Sequence, residues 1–249
     1  MRLSLTIATF LSLYLFIIAD VCLAQKTLLI FAGAGMKEPL NEAGMIFEKK
    51  YGIKVIYDYE GSGRLGNKIL LGQTPDLFIP GGSKWSNILK SKGYILYCKP
   101  IAQHIPVIIT PLSNNKVNNL YDLKKREVTL VIGDDKACAI GRVTNRIFKK
   151  AKINKNDLNI VAYGVTIKQL VHWIEAGNAD ASIVWHVDAL ESGRVRIIKI
   201  PDKFNEKDII PVCILKDSKN KKVAKKFISF LFSKQGKALF KKYGFSILD

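Results

Sequence analysis

The sequence predicts an α/β protein of two lobes, each a mixed, mostly parallel sheet flanked by helices, with a cleft between them. Three observations lead to this. Short β-rich runs alternate with stretches of helical periodicity. The alternation starts afresh past the middle of the chain, and the loops after the strands are rich in glycine and small residues. Hydrophobic residues at 48% and charged residues at 24% describe a globular chain able to build a sizeable core. No low-complexity segment or sequence repeat is evident.

Leu28 to Ala32 reads as a strand, Met36, Leu40, Ala43 and Phe47 mark one helix face, and Val55 to Tyr59 reads as a second strand, which makes a βαβ unit. Leu65, Ile69 and Leu70 predict a short helix, and Asp76 to Ile79 a strand that stops at Pro80-Gly81-Gly82. An apolar strand from His104 to Thr110 leads into the polar stretch Pro111 to Asn119 and marks a change of lobe. The second series opens with Val128 to Ile132 and continues with a helix near Arg142 to Ala151. A helix carrying Ile167, Leu170, Val171 and Ile174 comes next, then the strand Ala181 to Trp185. Ile209 to Leu215 is a return strand, and two lysine-rich amphipathic helices, about Lys221 to Phe232 and Lys234 to Tyr243, close the chain. The expected division is lobe I from residues 25–104 with about 205–249 and lobe II from 105–204, with crossing strands near 104–110 and 209–215.

Residues 1–24 read as a cleavable signal peptide. Arg2 precedes an apolar run from Leu3 to Ile18 that only Ser4, Thr6, Thr9 and Ser12 interrupt, and Cys22-Leu23-Ala24 sets small residues before a cut ahead of Gln25. A membrane-anchoring helix is the alternative, but the run is shorter than the ~20 residues a span needs. A lipoprotein cut leaving Cys22 at the new terminus is disfavoured by Val21 before it. The expected location is the periplasm.

The net charge of +18 admits nucleic acid, an anionic membrane surface or an anionic solute as partner. Export disfavours nucleic acid, and the lysines are scattered over presumed outer helix faces without the aromatic interleaving that stacks bases. Cys98, Cys138 and Cys213 remain after the cut, an odd number without zinc-site spacing; one disulfide among them is allowed, its pairing open.

Open parallel sheets bind ligands beyond the carboxyl ends of their strands, which directs attention to four loops. In Ala32-Gly33-Ala34-Gly35-Met36, the backbone amides of Gly35 and Met36 can approach a ligand closely. In Glu60-Gly61-Ser62-Gly63-Arg64, Ser62 offers a hydroxyl and an N–H, with Gly63 beside it; a plain helix-capping serine is the structural alternative. The loop from Gly133 to Arg142 ends in the helix-start amides of Ala139, Ile140 and Gly141, and the loop from Tyr163 in those of Thr166 and Ile167. Two donor-rich helix starts from each lobe, each the positive end of a dipole, suit a small dianion that only accepts hydrogen bonds.

These loops, in this order, resemble the periplasmic molybdate- and tungstate-binding proteins that serve ABC transporters. Four stretches carry the resemblance: Ile30 to Gly35; Gly61 to Leu65 with Pro75 to Ile79; Ile183 to Ala189; and Gln235 to Phe245. It implies the type II fold of periplasmic binding proteins, a molybdate or tungstate ligand and a membrane permease as partner. It further implies a monomer, with no cofactor and no catalysis. The family's second-loop serine falls on Ser62 and its later amide donors near Ile140 and Ile167. Two positions depart from the pattern: Gly35 stands where the family has a serine, and Trp185 where it has a tyrosine whose hydroxyl meets the anion. The Trp185 indole N–H keeps a donor there, unless the ring serves only as core. Arg64 and Arg142 could fork onto an anion, and Glu60, Asp134 or Asp135 could accept from a protonated one, which leaves sulfate, a phosphate-type anion or a carboxylate as other ligands. A sensory binding protein would use the same cleft. An enzyme with Cys138 as nucleophile and His172 or His186 as base lacks a supporting motif.

Overall fold

The computed structural model describes residues 26–248, so the signal-peptide reading and its cut lie outside the described residues. β1 (Thr27–Gly33) passes through a 3-10 turn, Ala34–Met36, into α1 (Lys37–Tyr51). β2 (Lys54–Glu60), α2 (Ser62–Leu70), β3 (Leu77–Ile79), α3 (Ser83–Ser91) and β4 (Ile95–His104) follow. The second series is β5 (Pro106–Pro111), β6 (Thr129–Gly133), α4 (Ala139–Lys150), β7 (Asn159–Gly164), α5 (Ile167–Glu175), β8 (Ser182–Trp185), α6 (His186–Ser192) and β9 (Val195–Lys199). The chain then returns through β10 (Asp208–Leu215) to α7 (Lys221–Leu231), α8 (Lys234–Lys242) and β11 (Ser246–Ile247).

The first lobe holds a six-stranded sheet in the order β11-β4-β10-β3-β1-β2. In the second, β8-β5-β9 and β6-β7 are joined by a parallel bridge between Leu130 and Ala181, giving the order β7-β6-β8-β5-β9. The plan is the same in both. β1 lies parallel to β2 and β3, and β3 is antiparallel to β10. Likewise β6 lies parallel to β7 and β8, and β8 is antiparallel to β5. The chain thus contains a structural duplication that no sequence repeat announces.

Alternation along β1 divides the lobe I core into two layers, as a strand buried on both faces requires. Leu28, Ile30 and Ala32 pack with Leu40 and Phe47 of α1 and with Phe227 and Phe240 of α7 and α8. Phe31 points the other way, with Phe78 of β3, Leu65 and Ile69 of α2 and Leu89 of α3. Lobe II has its own core, from Val107 to Ile200.

The apolar run from His104 to Thr110 is not one strand: β4 ends at His104 and β5 starts at Pro106. Ile105 is the crossing residue, its carbonyl accepting the His186 N–H at 2.8 Å, and the Pro106 carbonyl accepts the Asn205 amide at 3.1 Å. β4 itself carries little strand signal, because Lys99-Pro100 interrupts it. Pro100 lies opposite Pro211 of β10 where the register slips, so neither missing N–H disturbs a regular ladder. α4 begins three residues before Arg142, with Cys138 in an extended conformation ahead of it.

Cys98 and Cys213 face each other across β4 and β10 and form a disulfide, Cα atoms 4.1 Å apart; Cys138 is free and buried. The 115-residue separation encloses the whole second lobe. Closing so long a loop restrains the unfolded chain, and the loop-entropy account gives about 4–5 kcal/mol for it. The paired substitution C98A/C213A is therefore expected to lower urea-unfolding stability by about that amount while leaving the circular dichroism spectrum in place.

Candidate functional site

Parallel pairing sets the four loops side by side in pairs. Gly33 is in register with Glu60 at the ends of β1 and β2, and Gly133 with Gly164 at the ends of β6 and β7. Each pair therefore opens at the carboxyl edge of its own sheet. A third loop of lobe I, after β3, joins the first pair: a Cβ on Gly33 would lie 2.8 Å from the Gly81 nitrogen, so only glycine lets these two backbones meet.

In the first loop, Ala34 and Gly35 are exposed, whereas the Met36 side chain is fully buried in the core, so any contact Met36 makes with a ligand is confined to its backbone. In the second, Ser62 is the first residue of α2, with its own N–H and that of Gly63 at the helix start, where no intrahelical acceptor exists. The Ser62 Oγ accepts the Gly81 N–H at 3.0 Å. Its proton is thereby left to point elsewhere, as an anion would require. Gly63 and Gly66 press the helix onto Trp85: a Cβ on Gly66 would lie 2.3 Å from the indole ring. The Glu60 carboxylate binds Lys68 Nζ at 2.7 Å, and Arg64 is exposed without a hydrogen-bond or ion-pair partner among the described residues.

The third loop uses more of its donors internally than its sequence implies. The Gly141 N–H donates to the Cys138 carbonyl at 3.1 Å, and the N–H groups of Ile140 and Gly141 also face the Cys138 sulfur. Burial nevertheless pushes that thiol up. Ala139 keeps an unengaged amide at the tip of α4. Arg142 folds back onto its own loop, Nη1 donating to the Asp135 carbonyl at 2.9 Å. Asp134 accepts the N–H groups of Lys136 and Ala137 at 2.8 and 2.9 Å; these bonds, Ala137 first, hold its carboxyl below the usual carboxylate range. In the fourth loop, Thr166 caps α5 by accepting the Gln169 N–H at 3.2 Å, and Gln169 Oε1 accepts the Val165 N–H at 3.0 Å. The amides of Thr166 and Ile167 stay at the open helix start.

Trp185 is 6% exposed and belongs to the lobe II core, yet its ring also meets His104 of lobe I, centroids 5.1 Å apart. His104 is the residue the sequence pattern hides, since it looks like the polar end of a strand. It is 5% exposed, touches Phe245 on its other side at 5.1 Å, and its Nδ1 has no hydrogen-bond partner. Among the described residues no hydrogen bond links Cys138 to His172 or His186. The His186 ring meets the Gly244 carbonyl at 3.1 Å.

Burial lowers the His104 pKa from 6.5 to about 4. The unfolded chain therefore binds a proton near pH 6.5 that the folded chain refuses until about pH 4, so this residue's contribution to stability falls as pH drops through that window, by about 3 kcal/mol in all. Asp188 acts in the opposite sense, its pKa raised to about 7 by burial and then by Glu191, so stability from it falls as pH rises toward 7. Urea midpoints of the native protein minus those of His104→Gln, taken across this range, are expected to isolate the histidine slope; parallel curves would remove it.

A family model described as bacterial extracellular solute-binding protein matches residues 28–246. A putative binding protein of Haemophilus influenzae is 29% identical over 224 residues, covering 88% of this chain and 90% of its own length. The molybdate-binding protein ModA of Escherichia coli is 24% identical, covering 93% and 94%. Among solved structures, the substrate-binding domain of a putative molybdenum ABC transporter from Clostridium difficile superposes with a TM-score of 0.81 at 25% identity, over 90% of this chain and 99% of that one. With this two-lobed fold and the family match along nearly all the described residues, the chain belongs to the bacterial extracellular solute-binding proteins, which bind rather than transform their ligands.

Proposed function

We propose that this protein is exported to the periplasm, captures molybdate or tungstate in the cleft between its lobes and delivers it to the permease of an ABC transporter. The observation that carries the reading is Ser62: an uncapped helix start, a neighbouring glycine, and a hydroxyl whose oxygen is already engaged by the Gly81 N–H, so that it is set to donate. The starts of α4 and α5 supply further amides from lobe II. The engagement of Glu60 with Lys68, of Asp134 and Arg142 within their own loop, and of Asp135 with Asn145 of α4 supports a donor-only cage. The likeness to a molybdate-binding protein and to a putative molybdenum transporter's binding domain points the same way.

Separate calorimetric titrations with molybdate, tungstate, sulfate, phosphate and chromate test the reading. Saturable heat with molybdate or tungstate, tighter than with the others, is expected. If all five give none, the reading fails. Ser62→Ala should weaken binding by about 1.5–3 kcal/mol, the range for a hydrogen bond to a charged group; an unchanged affinity would remove Ser62 from the site. Cys138→Ser should bind as the native protein does.

A further inference from the structure

We propose that His104 is a ligand-binding residue, its ring N–H reaching an oxygen of the anion from the floor of the cleft and helping the site to reject protonated anions. This rests on the oxyanion reading above. His104 ends β4 at the junction of the lobes, between Trp185 on one side and Phe245 on the other, and neither ring offers an acceptor. Buried polar groups are nearly always hydrogen-bonded, and an apolar side chain of similar shape would suit two aromatic neighbours better. The fold alone therefore does not account for an imidazole here.

The third side of the ring is different. Gly81 has no side chain, and the point its Cβ would occupy lies 3.9 Å from His104 Nε2 and 3.7 Å from Ser62 Oγ. The bare glycine thus leaves a space bordered by two polar atoms, one of them the serine hydroxyl at the start of α2. Nδ1 is sealed without a partner. An orphaned buried N–H is rarer than an unsatisfied acceptor, so the proton belongs on Nε2, on the side of Gly81 and Ser62. The ring then donates where Ser62 donates.

Such a floor discriminates. A fully deprotonated tetrahedral dianion accepts from every donor, whereas hydrogen phosphate carries an O–H that needs an acceptor. The acceptors nearby are each engaged: Ser62 Oγ holds the Gly81 N–H, Glu60 holds Lys68, and the Asp208 carboxylate opposite His104 holds the N–H and hydroxyl of Ser83. The acceptor nitrogen of His104 faces away from the space, so it cannot serve a protonated anion.

The test compares native protein, His104→Phe and His104→Gln by calorimetry with molybdate and phosphate at neutral pH, and adds long-range proton–nitrogen spectra of histidine-labelled native protein with and without molybdate. His104→Phe should lose about tenfold or more in molybdate affinity. His104→Gln, whose amide can present either a donor or an acceptor, should narrow the preference for molybdate over phosphate. The spectra should show the Nε2–H tautomer and an Nε2 resonance that moves on saturation. A folded His104→Phe with native affinity, an unmoved Nε2 resonance, or an unaltered preference in His104→Gln would overturn the proposal while leaving oxyanion binding intact. Native protein that binds no oxyanion would overturn both together. Should His104→Phe fail to fold, the spectra of the native protein decide alone.

Discussion

The antiparallel pairing of β4 with β10 is the contact on which the rest of the molecule depends. Lobe I is built from two stretches of chain separated by the whole of lobe II, and these strands are where the stretches meet. Eight residue pairs, from Asp208 opposite His104 to Leu215 opposite Ile95, hold them in register, and the Cys98–Cys213 bridge crosses the ladder near its middle. The ladder also ends where the lobes part. His104 ends β4 with Asp208 opposite it, the Asp208 carboxylate accepting the Ser83 N–H at 3.1 Å and so anchoring the start of α3. The chain passes between the lobes at Ile105 and again between β9 and β10, on either side of where this ribbon ends.

The two lobes solve one structural problem twice. Each needs its third strand held against its first, and each uses an aspartate just before that strand. Asp76 accepts the Leu29 N–H at 2.9 Å, and Asp180 accepts the Thr129 N–H at 2.9 Å; the aspartate N–H groups return bonds to the same two residues. Buried Asp76 also gathers Ser218 and Asn220, tying the loop before α7 to the sheet, while Asp180 gathers Asn114 and Lys116 from the loop after β5. Because each carboxylate accepts several bonds, its burial cost is offset without a full ion pair at Asp76. The duplicated geometry brings helix starts to matching places at the carboxyl edge of each sheet.

Most of the architecture was legible because it rests on local chemistry. Alternation along Leu28 to Ala32, the helical face through Met36 and Phe47, and the glycines after strands are signals within a few residues of one another. What escaped reading is non-local. β4 carries Lys99-Pro100 and survives because Pro211 lies opposite in a slipped register, a fact held in another part of the chain. The Cys98–Cys213 pairing depends on the same ladder. Met36 shows a periodic signal that is correct for packing and silent about its amide, and Gly141 shows a helix-start amide that a neighbouring carbonyl claims. His104 is the sharpest case, since its significance comes from Trp185, Phe245, Gly81 and Ser62, none of them near it in sequence.

For an anionic ligand, attraction and selection are separate problems. With 39 Lys and Arg against 21 Asp and Glu, many cations have no carboxylate available, and the summed field draws anions of every kind. The ion pairs that do form, such as Lys68 with Asp58 and Glu60 or Lys242 with Glu42, are on the surface, where they add little to stability and partly cancel the field. In salt of physiological strength the field fades over about 8 Å, so it can hasten encounter but cannot tell one dianion from another. Discrimination has to come from groups fixed at contact distance. On the oxyanion reading, the groups around Ser62 and His104 are neutral donors on a helix start and on a buried ring, held by backbone rather than by long flexible side chains. A lysine there would accept any anion and follow its shape. A rigid set of N–H and O–H groups rewards only an anion with an acceptor in each place, and so net charge, the boldest feature of this chain's composition, is the least informative guide to a choice among anions.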